Sequence, residues 1–426
     1  MCTIRFPPFF SLYRSREERG GLRNKGTIEM KKTLAALAVL GAFAGSAVAA
    51  DVTLYGLVDY GFNYQHVDAD TDADAQDSFR MMSGQNSGSR FGLKGTEDLG
   101  NGLTVGFVLE NGFNADDGTL GNGGRLFGRE SQVYLKGNFG TLSFGRVGQF
   151  ASANGSYQLL GKASPFSGGW QDSVGQKFVY GSAFDRFDNM ITYVTPSFNG
   201  FKVHAQYSFD TNTKNDTDSV TDGTQHGTEG KSTVDRYYAV AATYESQNLY
   251  LVGIVDSMNW GRVQYKDLPT GEELDDQINI TLGGAYDFQV VKVYATGQYF
   301  MNATTVGYKS AFEQDSTIGD GYKFGVAEEG ADGFGIALGV GVPAFGGTAK
   351  AQIGYMTAEA NKATGWDGDK KEIDRWDINV GYDYNLSKRT SVYTALAYTK
   401  DSMKNWEEKD RDPSTIEFMA GMIHKF

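Results

Sequence analysis

The sequence predicts an all-β fold: a transmembrane antiparallel up-and-down β-barrel of about sixteen strands. Three observations lead to this prediction. Apolar and polar side chains alternate within stretches of about ten residues, short and long connections alternate along the chain, and helical periodicity is almost absent. The mean hydropathy is −0.39, and the body of the chain has no apolar run near the ~20 residues of a membrane helix, which excludes a polytopic helical protein.

The alternation assigns each predicted strand one apolar and one polar or small face. In one stretch Val203 and Tyr207 alternate with His204 and Gln206. The clearest apolar sets are Val52, Leu54, Val58, Tyr60 and Phe62; Phe201, Val203, Ala205, Tyr207 and Phe209; Ile278, Ile280, Leu282 and Tyr286; Phe334, Ile336, Leu338, Val340 and Val342; Trp376, Ile378, Val380, Tyr382 and Tyr384.

The connections differ at the two ends of the predicted strands. Short connections are expected at 98–102, 137–140, 196–200, 245–248, 287–290, 344–347 and 385–388. Long polar ones, numbered as loops 1 to 8, are expected at 66–87, 114–124, 147–177, 210–233, 259–275, 302–332, 358–371 and 400–413. This asymmetry is typical of an up-and-down barrel with two unlike ends.

The width of the barrel decides which face meets water. A barrel of about sixteen strands is too wide for side chains to fill, so its lumen holds water and the apolar face points outward. Apolar surface on the outside is stable only in lipid, where a closed barrel also satisfies every backbone hydrogen bond. Aromatic residues near the predicted strand ends, such as Phe62, Tyr286 and Tyr384, fit interfacial girdles.

The N-terminal region carries an export signal. Met30-Lys31-Lys32 precedes an apolar run up to Ala44 and a small-residue cleavage pattern ending at Ala49, so residues 30–49 are interpreted as a secretory signal peptide. Residues 1–29 are interpreted as an over-extended start, and residues 50–426 as the barrel domain. The chain carries a net charge of −13, and an acidic exported protein is not expected to bind nucleic acid.

Several segments resemble the general diffusion porins of Gram-negative outer membranes. They are Val52-Thr53-Leu54-Tyr55-Gly56, residues 89–103 (SRFGLKGTEDLGNGL), Arg125-Leu126-Phe127-Gly128-Arg129, residues 196–201 (PSFNGF) and the C-terminal Phe426. The resemblance covers residues 50–426. It implies a sixteen-strand barrel in the cell outer membrane, usually a homotrimer, with the third long loop folded inward to narrow the pore.

The function implied is passive diffusion of small hydrophilic solutes and ions, with no cofactor. The expected partners are outer-membrane lipid and lipopolysaccharide, and the barrel-assembly machinery, which would recognise Phe426 as the assembly signal. A channel dedicated to one solute, such as a sugar or an organic anion, is the alternative, with Tyr157, Phe166 and Trp170 either lining a sugar path or packing loop 3 against the wall.

The resemblance also assigns a pore constriction. Family members place wall arginines opposite loop 3, and the matching positions here are Arg90, Arg129 and Arg186, with Asp172 as the acid of the loop. Lys94 joins them because it shares parity with Arg90. Parity supports Arg90 and Arg186 as inward, with Phe187 outward, whereas Arg129 shares parity with the outward Val133 and Leu135 unless a bulge intervenes. A weak anion preference is expected.

Arg146 shares parity with Leu142 and Phe144, which predicts a guanidinium on the outer wall. Burial there near the bilayer midplane costs about 2–4 kcal/mol. Two explanations stay open: a position at the polar rim, or a subunit interface in which Arg146 pairs with Asp116 or Asp117 of a neighbouring subunit.

Catalytic and metal chemistry find little support in the sequence. The four His residues are His66, His204, His226 and His424, and no nucleophile motif or metal-ligand spacing accompanies them, so an outer-membrane hydrolase is the weaker alternative. The acids of loops 1 and 4 are interpreted as solvated external residues, or as loose divalent-cation bridges to lipid headgroups, rather than as a calcium site.

Overall fold

The structure is a computed structural model that describes residues 52–426 except 73, 153–154, 168–169, 171–173, 176–178, 182–185, 216–227, 262–273, 308–321 and 326. Residues Ala50–Phe426 form one compact unit. The predictions made for residues 1–29 and 30–49 lie outside the described residues.

The described residues are mostly β-structure. The strands are β1 (Thr53–Asp68), β2 (Gln76–Ser83), β3 (Arg90–Gly100), β4 (Leu103–Gly112), β5 (Glu130–Gly137), β6 (Gly140–Gly148), β7 (Arg186–Val194), β8 (Phe201–Ser208), β9 (Arg236–Glu245), β10 (Leu249–Asn259), β11 (Gln277–Asp287), β12 (Lys292–Ala303), β13 (Thr305–Val306), β14 (Tyr322–Lys323), β15 (Ala331–Ala344), β16 (Gly347–Ala360), β17 (Glu372–Asn385), β18 (Thr390–Lys404) and β19 (Ser414–Lys425). Short 3₁₀ turns include Leu160–Ala163 in loop 3. No helix among the described residues is long and apolar enough to span a membrane.

The strands form a closed antiparallel barrel. Each barrel strand pairs with the next along the chain, and β1 pairs with β19, which joins the two ends of the sheet. Strands β2 and β3 pair with successive parts of β1 and share one position in the wall. The described residues therefore form sixteen wall positions, as the sequence predicts.

The two ends of the barrel differ as expected, with one correction. Two-residue turns occur at Asn101–Gly102 and Phe345–Gly346, where all four residues have positive φ angles. Loop 1 is much shorter than the predicted 66–87, because β1 continues to Asp68 and β2 begins at Gln76. The sequence signal was weak there because several acids interrupt the apolar alternation.

The apolar face of each strand points outward, as predicted. Leu282 is 65 % exposed and Ile336 is 46 % exposed, whereas Asn279 and Thr281, which alternate with apolar residues on β11, are buried. Successive side chains of a strand point to opposite faces, so one alternating sequence yields an apolar exterior and a polar interior. The exposed apolar belt is the surface that lipid covers.

The lumen is less uniformly polar than the alternation of the strands predicts, because the described residues of loop 3 pack inside the barrel. The connection runs from 149 to 185 and not over the predicted 147–177, since β6 ends at Gly148 and β7 begins at Arg186. Its residues Phe150, Leu160 and Val179 are buried against wall residues such as Tyr237 and Met356. Part of the interior is therefore a dry apolar core between loop 3 and the wall. The inward fold of the third long loop, expected from the resemblance, is present.

Loop 6, between β12 and β15, also reaches the interior. Its short strands β13 and β14 pair with each other, and Tyr322 and Phe324 are buried. The Tyr322 hydroxyl donates to Asp401 Oδ2 at 2.5 Å, and Asp401 forms a two-point ion pair with Arg375 in the wall. No pattern in the sequence indicates this second inward loop.

Candidate pore constriction

Arg90 is positioned by an inward turn of segment 84–89, which separates β2 from β3. The buried Asp59 carboxylate accepts the backbone N–H groups of Asn86 at 2.8 Å and Ser87 at 2.7 Å. A carboxylate that accepts several backbone N–H groups fixes a turn rigidly. Strand β3 begins directly after this turn, so Arg90 enters the lumen from a fixed backbone.

Glu110 is the acidic centre of the candidate constriction. Its carboxylate accepts Arg129 Nε at 2.7 Å and the Tyr55 hydroxyl at 2.9 Å, and it lies 3.9 Å from an Arg90 nitrogen. All these contacts come from β1, β3, β4 and the start of β5, on one side of the wall. One carboxylate thus lies between two guanidinium groups, and the group keeps a positive charge.

Arg129 reaches the lumen through an irregular start of β5. Its backbone N–H donates to the Glu110 carbonyl at 3.1 Å, while Glu130 is the residue paired with Glu110 in the ladder. Two residues of one strand then face one residue of the other, which is the arrangement of a β-bulge. By strict alternation Arg129 would face outward with Val133 and Leu135. The bulge reverses the direction of the Arg129 side chain, so that it faces inward.

Glu130 connects the wall to the first half of loop 3. It is 2 % exposed and accepts the Ser156 hydroxyl at 2.8 Å and the Ser156 backbone N–H. One residue further along the loop, the Tyr157 hydroxyl donates to Gln132 Oε1 at 3.0 Å. These polar contacts hold the near side of loop 3 beside the arginines.

The remaining predicted residues of the constriction differ in position. Arg186 is buried at the first residue of β7 and lies within electrostatic range of Arg90. Lys94 faces the lumen two residues after Gly92 on β3 and stands 5.1 Å from the Tyr55 ring centre. Asp172 lies outside the described residues.

The prediction that Phe187 faces outward is wrong. Phe187 is buried, and its ring centre lies 4.9 Å from that of Tyr237. The ladder between β6 and β7 shifts register, and Asn189 has a φ of 45°. Strict alternation therefore does not extend to the first residues of β7.

Arg146 has a partner within its own chain. Its Nη1 lies 2.7 Å from Asp188 Oδ1, and its Nε donates to the Gly128 carbonyl at 2.8 Å. Asp188 also accepts Arg125 at 2.9 Å. This internal ion pair forms because the irregular first residues of β7 and the segment before β5 fold over the end of β6. The pairing with Asp116 or Asp117 of a neighbouring subunit stays a prediction.

The aromatic residues of loop 3 pack against the wall. Phe166 is fully buried and Trp170 is 2 % exposed; their rings meet edge to face at 5.1 Å. Trp170 also contacts Tyr393, and the Lys350 ammonium lies 4.7 Å from the Trp170 ring centre. Of the two explanations considered for these side chains, packing of loop 3 is the one that the structure favours.

A cavity of about 560 Å³ lies between loop 3 and the wall on the side of the short turns. It is lined by Lys202, His204 and Lys162, and the last pairs with Glu245 at 2.8 Å. His204 lies 2.9 Å from the Thr243 hydroxyl and is an inward wall residue, as predicted. In the part of the chain that the structure describes, no group of three or more His, Cys, Asp or Glu residues could hold a metal ion.

The buried acids beside these arginines are candidate functional residues that sequence reasoning missed. Asp59, Glu110 and Glu130 are all buried in the wall. A usable signal existed for Glu110: Phe107 and Leu109 on the same strand are apolar at outward parity, so Glu110 falls on the lumen face beside Gly92. The predicted constriction rested on basic motifs, and the wall acids carry no such motif.

A model of the Gram-negative porin family matches residues 35–404. An outer membrane porin protein of Bordetella pertussis is 37 % identical, over 87 % of this chain and 95 % of the relative. Outer membrane porin protein 32 of Delftia acidovorans is 33 % identical, over 93 % of this chain and 94 % of its own.

Among solved structures, the anion-selective porin from Comamonas acidovorans superposes with a TM-score of 0.62. It is 26 % identical, and the alignment covers 88 % of this chain and all of that porin.

Proposed function

The chain belongs to the Gram-negative porin family, and we propose that its channel weakly prefers anions among the solutes that cross it. The protein forms an outer-membrane channel for passive diffusion of small hydrophilic solutes and ions. The observation that carries the proposal is a cluster of arginines. Arg90 and Arg129 lie on either side of the Glu110 carboxylate, and Arg186 is within electrostatic range of Arg90. The similar porin from Comamonas acidovorans is described as anion-selective, which supports it.

Local charge decides the sign of the preference. Among the described residues of the proposed constriction, the four cationic side chains Arg90, Lys94, Arg129 and Arg186 exceed by one the acids Asp59, Glu110 and Glu130; Asp172, the predicted acid of loop 3, lies outside the described residues. The acidic loops at the mouth carry the opposite sign, but solvent and salt screen exposed charges beyond a Debye length of about 8 Å. Charges in a narrow, low-dielectric passage act more strongly on a passing ion.

Export and assembly follow the family pattern in this proposal. Residues 30–49 direct secretion and are removed after Ala49, and residues 50–426 insert as a homotrimer in contact with lipid and lipopolysaccharide. The terminal Phe426 is the signal for the barrel-assembly machinery. Its backbone N–H donates to the Gly56 carbonyl at 3.0 Å, and Gly56 donates back at 3.2 Å, which supports a role for the last residue in joining β19 to β1.

Membership in a family of channels also favours a pore over the hydrolase alternative. The protein needs no cofactor for passive diffusion. A channel dedicated to one sugar loses its main support, because the loop 3 side chains Phe166 and Trp170 are buried against the wall and do not line the lumen.

Reversal potential in planar bilayers tests the anion preference. Arg90→Glu combined with Arg186→Glu changes the local charge by four units, and we expect the channel to become cation-preferring. Lys388→Glu with Arg389→Glu, in an exposed short turn, makes the same charge change away from the constriction and serves as the control. An unchanged permeability ratio in a folded Arg90/Arg186 variant would show that these arginines are not the filter.

A further inference from the structure

We propose that four glycines of the inner wall set the width of the channel, because they let loop 3 lie directly on the backbone of the wall. The four, called the glycine bed, are Gly335 and Gly339 on β15, Gly354 on β16 and Gly381 on β17. They lie on three neighbouring strands, on the face that points into the lumen. They are positioning residues for the loop that narrows the pore.

Loop 3 already lies within contact distance above these glycines. A Cβ atom placed on Gly335 would overlap the Val179 carbonyl oxygen. One on Gly354 would overlap the Asp377 carboxylate of the neighbouring strand β17 and would also lie 2.8 Å from Val179 Cγ1. At Gly339 the new atom would lie 2.7 Å from the Pro165 ring. Cβ atoms do not approach other atoms so closely in folded proteins, so any side chain here displaces the loop or the strand.

Gly381 extends the same contact to the next strand. A Cβ there would lie 2.8 Å from Phe166 Cε1. Phe166 and Val179 are both fully buried, so loop 3 lies flush against the wall at both of these places.

Glycine is otherwise a poor choice at these positions. Within a strand it has no side chain to pack and it weakens the sheet, and it commonly marks a site where another backbone approaches closely. The outward neighbours on β15 are the bulky Ile336 and Leu338, so the strand places aliphatic residues toward lipid and small residues toward loop 3. The local cost to the strand is compensated by the packing of loop 3.

Loop 6 restrains the end of loop 3 from the other side. Gly181 forms a β-bridge with Val306 of β13, and the Gly307 N–H donates to the Tyr180 carbonyl at 2.8 Å. Val306 is fully buried, and a Cβ at Gly181 would overlap the Phe300 ring. The end of loop 3 is therefore fixed to β13. A side chain added to the wall beneath the loop can then be accommodated only if the loop moves toward the lumen.

The near half of loop 3 provides a contrast within the same molecule. Around Tyr157 the loop is held by side-chain hydrogen bonds, and the 560 Å³ cavity separates it from β8 and β9. By contrast, the described residues Pro165, Phe166 and Val179 further along the loop lie directly on the wall. The glycine bed therefore determines how far the loop extends across the lumen.

Single-channel conductance tests this inference. Gly335→Ala is expected to lower the conductance by about twofold and to exclude the larger sugars in liposome swelling, because pore diameter governs both. Gly341→Ala is the matched control: it is on the same strand and the same face, but its Cβ would lie 3.6 Å from the nearest atom, in the Tyr294 ring. The control is expected to conduct as the unmodified channel does.

Gly339→Ala provides a second variant in case Gly335→Ala does not fold, because the Pro165 ring is easier to displace than a backbone carbonyl. The folded, heat-modifiable form of each variant is checked by gel mobility before recording. A folded Gly335→Ala or Gly339→Ala channel with conductance equal to or above that of Gly341→Ala would overturn the inference. Failure here would not affect the anion preference, which is measured as a permeability ratio on other residues.

Discussion

At the scale of single residues, the proposed constriction depends on the Glu110 carboxylate, which several side chains share. Glu110 receives Arg129, Arg90 and the Tyr55 hydroxyl, so it partly neutralises the guanidinium groups and also holds them in place. Charged hydrogen bonds of this kind are stronger than neutral ones and reduce side-chain motion. Glu110 therefore sets both the net charge and the rigidity of the arginine cluster.

Glu110→Gln is expected to increase the anion preference. A unit charge acts on an ion ~7 Å away with about 0.6 kcal/mol at the dielectric constant of water, which is roughly a threefold change in the permeability ratio. The measurement is the reversal potential across a salt gradient. Glu359→Gln, an exposed acid paired with Lys370, changes the charge equally and should leave the ratio unaltered. A shift toward cations in Glu110→Gln would contradict the prediction.

At the scale of elements, loop 6 is attached to the wall by a buried ion pair. Arg375 and Asp401 on adjacent strands are almost completely buried, with nitrogen–oxygen distances of 2.6 and 2.8 Å, and Tyr322 adds its hydroxyl to the same carboxylate. When one partner of such a pair is replaced, the other charge stays buried in a low-dielectric interior without a partner. The contact therefore couples the stability of the wall to the position of loop 6.

Asp401→Ala is expected to destabilise the folded barrel by about 3–5 kcal/mol, because Arg375 loses the carboxylate that pairs with it. Urea unfolding in lipid vesicles, followed by tryptophan fluorescence, measures the loss. The double variant Arg375→Met with Asp401→Leu is the control, and it should recover most of the stability because an apolar pair of similar size carries no buried charge. A loss below about 1 kcal/mol in Asp401→Ala would refute the prediction.

At the scale of the whole molecule, the barrel is stable only when its exposed belt meets lipid. Leu338 is 51 % exposed and Val342 is 36 % exposed, on the same face of β15 at different distances from the short turn. A closed barrel leaves no unpaired strand edge, so the cost of a charged substitution depends on depth in the bilayer and not on lost hydrogen bonds.

Leu338→Arg is expected to lower folding stability in vesicles by about 2–4 kcal/mol, and Val342→Arg by about 0–1 kcal/mol, because Val342 lies closer to the interface. Denaturant titration of the two variants in the same lipid gives the comparison. Equal losses at the two positions would contradict an orientation in which the strands cross the bilayer with the short turns at its edge.

The sequence by itself determined the wall of this protein: the strand order, the turns at one end, and the face that meets lipid. Those properties follow from an alternation of period two that each strand carries within itself. Arg90 could be placed in the lumen from the neighbouring Phe91 and Leu93 for the same reason.

The tertiary structure alone decided how the interior is filled. The bulge at Arg129 and the register shift before Asn189 depend on two strands at once, so the parity of a single strand could not reveal the inward Arg129 or the buried Phe187. The ion pair of Arg146 with Asp188 joins residues 42 positions apart. Loop 3 has no periodicity, and its packing on the glycine bed exists only once the barrel has closed around it.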